Sequence, residues 1–264
     1  MYLISSVHKG RFGMNQYLVF QLHGPMASWG VDAPGEVRHT HELPSRSALL
    51  GLLAAALGIR RDEKARLDAF NQHYQFVICA SVQPRWARDY HTVQMPREAR
   101  KARYFSRREE LSNPDLLSAL ISRRDYYTDA WWMVAVTLTS GAPVALDALR
   151  DALLKPVFPL YLGRKSHPLG LPLLPLLLEG NAPEVLQKAH HVYCEKLQAL
   201  DGEKVKLAAL QPECWWEGEH DGLTESKVHR RRDQPLSRQH WLFGERTVSQ
   251  GTLSFGEGLC TSQK

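Results

Sequence analysis

The chain has 264 residues, of which 44% are hydrophobic and 23% charged, and a net charge of +5. These values exclude a disordered polyelectrolyte and fit one sizeable domain, or a domain with a long insertion. The longest apolar stretch, Leu169–Leu178, carries Pro172 and Pro175 and falls short of the roughly 20 residues that a membrane span needs.

Met1–Gly13 holds Lys9 and Arg11 without an apolar core. It is therefore expected to be a flexible extension rather than a secretory leader, with Met14 as an alternative start, and the default location is the cytoplasm. Tyr17–Leu22 (YLVFQL) reads as a buried strand that runs into a turn at His23-Gly24-Pro25. Residues 26–43 are rich in turn formers and read as irregular. Pro44–Gly58 is predicted helical, with Ser45 or Ser47 as N-cap and Gly58 closing the C-terminus. That helix is apolar almost all round, so it is expected to be buried against a sheet. A second helix is predicted over about Asp62–Asn71 and a strand over Tyr74–Val82.

Residues 84–124 differ in character. They hold ten basic side chains (Arg85, Arg88, Arg97, Arg100, Lys101, Arg103, Arg107, Arg108, Arg123, Arg124) and five acidic ones. The excess equals the whole chain's net charge, so the rest of the chain is balanced. Tyr90, His91, Tyr104, Phe105, Tyr126 and Tyr127 lie within or beside this stretch. Arginine neutralises phosphate, and aromatic rings stack on unpaired bases, which points to single-stranded nucleic acid. A loop this long inside a compact domain is uncommon unless it has a task.

Trp131–Thr139 (WWMVAVTLT) is the clearest predicted strand, and Leu146–Leu154 a short helix ended by Pro156. Tyr161–Pro168 is a basic loop in which backbone N–H groups around Gly163, with Arg164 and Lys165, offer a phosphate cradle; its alternative reading is a tight turn. Pro183–Leu200 looks helical at its start. A second basic cluster comprises Arg230, Arg231, Arg232, Arg238 and Arg246, and the tail after Gly251 is expected to be poorly ordered. The order strand, helix, strand, insertion, strand, helix predicts a ferredoxin-like (RRM-like) α+β sheet. Such a sheet keeps one face free, and RNA is expected there.

Cofactor and metal sites are not expected. The four cysteines, Cys79, Cys194, Cys214 and Cys260, show no paired C-x-x-C spacing and read as free thiols. His191 and Cys194 share a helical face and His39 and His41 a strand side, but two ligands do not make a site. Phosphate-loop, dinucleotide and nucleophile-elbow motifs are absent. The enzymatic rival is a metal-independent ribonuclease using Tyr90, His91 and a nearby cation, for which the sequence offers no further pairing.

Four blocks resemble the type I-E branch of the Cas-five family in the RAMP superfamily of CRISPR-associated proteins. They are Tyr17–Trp29 with Gly24-Pro25-Met26 and Trp29-Gly30, Pro44–Ile59, Arg88-Asp89-Tyr90-His91-Thr92-Val93, and Leu154-Lys155-Pro156 leading into Tyr161–Ser166. Weaker matches are Arg124-Asp125-Tyr126 and Arg232-Asp233-Gln234-Pro235. The resemblance covers about Met14–Val248. It implies a RAMP palm (14–83 and 125–250), a β-rich thumb insertion (84–124) and a tail (251–264). It also implies a non-catalytic subunit of a Cascade complex in antiviral or anti-plasmid defence. That subunit clamps the 5′ handle of the crRNA and caps the backbone filament beside the large PAM-reading subunit, meeting target DNA only indirectly. A related branch processes precursor crRNA itself, which keeps the ribonuclease alternative open. Carried over residue by residue, the RNA contacts expected are Arg46 and Ser47 at a helix N-terminus and Arg88, Tyr90, His91 and Thr92 entering the thumb. Arg124 at the thumb's return and Gly163, Arg164 and Lys165 in the basic loop complete that set; Arg100, Lys101 and Arg103, in a thumb centre (94–110) that matches no family motif residue by residue, are expected RNA contacts from the basic character of the stretch alone.

Overall fold

Strands with no charged residue on either side are buried on both faces, and two such strands anchor this molecule. The computed structural model describes residues 15–30, 35–81, 84–97, 103–201, 210–237 and 240–253, with side chains at 198–201 and 210–212 left aside. In chain order, β1 (Gln16–His23) leads into four two-residue strands, β2 (Met26–Ala27), β3 (Trp29–Gly30), β4 (Val37–Arg38) and β5 (Thr40–His41). Next come α1 (Arg46–Ala56), α2 (Lys64–Phe70), β6 (Tyr74–Ser81), β7 (Arg85–Pro96) and α3 (Arg107–Glu110). β8 (Leu117–Thr128), β9 (Trp131–Leu138), α4 (Leu146–Leu154) and β10 (Leu176–Glu179) follow. The chain continues through α5 (Ala182–Asp201), β11 (Leu210–Trp216), β12 (Glu225–Ser237) and β13 (Leu242–Thr252).

The large sheet has seven strands in the order β10-β1-β9-β6-β11-β13-β12, every neighbouring pair antiparallel. Its first four members are β1, β6, β9 and β10, laid fourth-first-third-second, with α1 and α4 in the two crossovers. Side chains alternate across it as the pleat requires. Leu18, Phe20, Leu22, Trp132, Val134 and Val136 face α1, α2 and α4. Tyr17, Val19, Trp131, Met133 and Ala135 face the other way, where α5 covers them with Val185, Leu186, Ala189 and Tyr193. This corrects the expectation of an open face. The helix beginning near residue 183 runs through residue 201 and fills the surface on which RNA was expected.

Local chemistry explains the element ends. Ser45, not Ser47, caps α1: its hydroxyl accepts from the Ala48 N–H at 3.1 Å. The helix closes in a Schellman motif, with Gly58 N–H donating to Ala55 O and Ile59 N–H to Ala54 O. That motif needs the positive φ of Gly58, +73°. Predicted and observed spans agree within two residues for β1, α1, α2, β6, β9 and α4. Val82, Arg238, the extension before residue 15 and the tail beyond 253 lie outside the described residues.

The basic stretch folds as a long hairpin. β7 and β8 pair over twelve consecutive positions, from Arg85↔Thr128 to Pro96↔Leu117. The far edge of β8 is held at its base by β2, antiparallel, and β4, parallel. Residues 98–102, including Arg100 and Lys101, lie outside the described residues. No helix among the described residues is long and apolar enough to cross a membrane.

Candidate nucleic-acid interface

Register decides which hairpin side chains share a face. Opposed pairs point the same way and neighbours along a strand point apart. One face carries Asp89, His91, Ser122, Arg124 and Tyr126; the other carries Trp86, Arg88, Tyr90, Arg123 and Asp125. Tyr90 and His91 therefore lie on opposite faces, and the ribonuclease pairing the sequence offered does not form.

On the second face the central feature is a buried carboxylate. Arg88 grips Asp125 with both oxygens, Nε to Oδ1 at 2.6 Å and Nη2 to Oδ2 at 3.0 Å, while His39 Nδ1 meets Oδ2 at 3.0 Å. The Arg88 hydrogen bonds hold the Asp125 carboxyl below its usual range against the upward push of burial. Arg88 also stacks over Trp86, 5.0 Å from the ring centroid. Its charge is thus shared with Asp125, where it pins hairpin to body, while 37% of its side chain stays exposed. Tyr90, 61% exposed, and Thr92 stay accessible beside it.

The first face gathers cations. The parallel pairing of β4 with β8 sets Arg38 directly beside Arg124. Arg164 leans in from the basic loop, with Nη2 donating to Arg38 O at 3.4 Å. Burial, then the adjacent charge of Arg124 and, more weakly, Arg38, lower the Arg164 pKa; Asp125 and Asp89 oppose them. Asp89 answers part of this charge but is itself bound by the Tyr126 hydroxyl at 2.9 Å and lies 3.6 Å from His91 Nε2. Arg85, Arg97, Arg103, Arg108, Arg123 and Arg124 form no ion pair with a described carboxylate, whereas Arg107 pairs with Glu110 at 2.5 Å. Most of the hairpin's described arginines are therefore without a carboxylate partner among the described residues. Lys165 is exposed beside this cluster.

Two further expectations are corrected. Gly163 does not cradle phosphate with its own N–H, which donates to Tyr161 O. Its φ of +85° and the collision a Cβ would make with the Ser28 carbonyl explain the glycine as a tight, packed turn. Arg46 is 5% exposed, and its guanidinium bonds Tyr74 O, Asn71 O and the Glu217 carboxylate. The anion at the α1 N-terminus is the protein's own: Asp233 Oδ2 accepts from Arg46 N–H at 2.8 Å. Ser47 turns to Ser45, hydroxyl to hydroxyl, at 3.1 Å. Arg46 is thus buried, and Ser47 is half-buried.

Of the second basic cluster, Arg230 and Arg232 are exposed, whereas Arg231 and Arg246 are internal. Arg231 and Arg246, 11% and 12% exposed, join Arg46 around Glu217 and Asp233. Burial raises the Glu217 carboxyl above its ordinary range, and the Arg46 and Arg246 charges push the other way. Burial also pushes Asp233 up, and the Arg246 hydrogen bonds outweigh it and hold the carboxyl below its ordinary range.

His41 stands beside this network, its Nδ1 accepting from Leu43 N–H at 3.1 Å. That bond needs the neutral ring. Burial first and the Arg231 charge second lower its pKa from 6.5 to about 4. The unfolded chain takes up a proton below 6.5 while the folded chain resists down to about 4, so stability falls as pH drops through that window. Urea unfolding of His41→Gln at pH 7 and pH 4.5 is expected to show a shallower loss than the parent; an identical loss rules out the His41 contribution.

His190 and His191 each find an i+4 neighbour, Cys194 Sγ at 3.7 Å and Glu195 at 3.1 Å, so the pair His191–Cys194 does not form. His39 and His41 turn to different partners. Among the described residues no group of three or more His, Cys, Asp or Glu could hold a metal ion. Cys79 and Cys214 are free thiols.

Comparison with known proteins agrees with this geometry. Residues 17–249 match the family model described as CRISPR-associated protein (Cas_Cas5). The CRISPR system Cascade subunit CasD of Escherichia coli (strain K12) is 35% identical over 179 residues, 65% of this chain and 75% of that protein. In a solved CRISPR RNA-guided surveillance complex, one chain superposes with a TM-score of 0.60 at 22% identity, over 90% of both chains. A structure titled Crystal structure of Cas protein gives 0.53 at 24% identity, over 90% of this chain and 94% of that one. Both structures speak to the fold. Because the family match runs from β1 almost to the end of β13, taking in the sheet and the whole hairpin, the chain belongs to the Cas5 family of CRISPR-associated proteins, in its CasD, type I-E branch.

Proposed function

We propose that this chain is a non-catalytic crRNA-binding subunit of a Cascade complex. The four-strand unit β10-β1-β9-β6, with α1 and α4 in its crossovers, is the ferredoxin-like RAMP palm, and the β7–β8 hairpin within and just beyond 84–124 is the thumb. The 5′ handle of the crRNA lies at the thumb's base. One observation carries this reading: Arg38, Arg124 and Arg164 converge from three separate segments, and neither Arg124 nor Arg164 forms an ion pair with a described carboxylate. A phosphate backbone supplies countercharge there, and on the hairpin's other face the exposed Tyr90 offers a ring for an unstacked base. The opposite faces of Tyr90 and His91 argue against self-cleavage chemistry. The partners on this reading are the backbone subunit, the large PAM-reading subunit and the other Cascade proteins. The cytoplasm is the compartment.

Incubating the purified chain with labelled repeat-containing RNA in EDTA tests both halves of the proposal. The expected result is a retarded, intact RNA whose binding weakens with salt. Cleavage at one defined position transfers the chain to the ribonuclease reading.

A further inference from the structure

We propose that the arginine cage formed by Arg46, Arg231 and Arg246 holds one halide-sized monovalent anion. Three guanidinium groups share two carboxylates, Glu217 and Asp233, and all five side chains are at most 12% exposed. With every member ionised the cage keeps one positive charge in excess. Such a charge, cut off from water, is costly unless an anion meets it. The donor inventory points the same way. Arg46 Nε and Arg231 Nη1 are buried and find no acceptor in the protein, although every other nitrogen of Arg46 is bonded.

Beside them lies a cavity of about 10 Å³, lined by Arg46, Arg231 and Arg246 together with Phe76, Trp215 and Trp216. That volume takes a single water-sized guest and is too small for a phosphate or a carboxylate. A water molecule would accept from the two orphan donors but leave the charge unbalanced. A chloride does both. Phe76, over which Arg46 sits at 5.6 Å, and the two tryptophans give the pocket an apolar wall, which lessens screening of an ion held there. This site shares no residue with the Arg38–Arg124–Arg164 interface and does not depend on RNA binding.

Thermal unfolding of the purified full chain in sodium chloride or bromide, against sodium gluconate at equal ionic strength, tests the proposal. The halide salts are expected to raise the midpoint by roughly 3 °C, as a ligand bound only by the folded state does. Arg231→Gln removes the excess charge and one orphan donor, and is expected to abolish the difference between salts. Equal midpoints for the parent chain in the two salts, or an undiminished difference in the variant, overturn the proposal. Should Arg231→Gln fail to fold, crystals of the parent grown in bromide decide the question. An anomalous peak within hydrogen-bond distance of Arg46 Nε supports the site, and a water or nothing at that position refutes it.

Discussion

Arg124→Ala combined with Arg164→Ala is expected to lower affinity for single-stranded repeat RNA by about 100-fold, since each charge-assisted contact contributes roughly 1.5 kcal/mol or more. The two residues come from segments far apart in sequence and meet only because β4 docks alongside β8. Neither forms an ion pair with a described carboxylate, so their loss frees no buried anion, and unfolding is expected to change by no more than about 0.5 kcal/mol. Counterion release gives a second readout. For single strands each neutralised phosphate contributes roughly 0.7 to the slope of log affinity against log salt, so the double variant's slope should be shallower by roughly 1.4. Filter binding across a range of potassium chloride measures both quantities. If affinity and slope are unchanged, the thumb base is not where RNA lies, and the basic surface meets acidic protein instead.

Asp233→Ala is the largest stability change expected, about 3–5 kcal/mol, because it removes one partner from a buried ionic network. Asp233 binds Arg246 through two bonds of 2.5 and 3.0 Å, lies 3.7 Å from Arg231, and accepts the first N–H of α1. Its removal strands cations and a helix N-terminus at once. Urea unfolding measures the loss, and RNA affinity of the remaining folded fraction should match the parent. A loss under about 1 kcal/mol would mean that water reaches and screens the network.

The sequence carried the palm's framework because its elements are local in cause. Tyr17–Leu22 and Trp131–Thr139 announce buried strands, and Ser45 and Gly58 mark the ends of α1, within a residue or two of what forms. β10, the strand that completes the four-stranded unit, was hidden in a proline-interrupted leucine run and was considered only as a membrane segment. β11, β12 and β13 lack a clean alternation because their pairing carries bulges and the first six residues of β12 are exposed on both faces.

The site was legible by composition and not by position. Arginine density located the hairpin, but density cannot separate Arg124, without a described carboxylate partner, from Arg88, paired with Asp125. Arg46 read as an anion ligand because helix N-termini attract anions, and they do; the anion proved to be Asp233, distant in sequence. Arg38 was missed altogether. Its segment has no periodicity, and a two-residue parallel pairing leaves no mark in sequence.

The sheet that α1 and α5 enclose from both sides has a cost while the chain is still being made. Gln16–His23 and Trp131–Leu138 are neighbours in the finished molecule, yet β1 leaves the ribosome long before β9 exists to receive it. Until then each is an uncharged, β-prone, sticky segment of the sort that self-associates. Destabilising changes anywhere in the palm should therefore appear first as inclusion bodies, well before the folded fraction loses any grip on RNA.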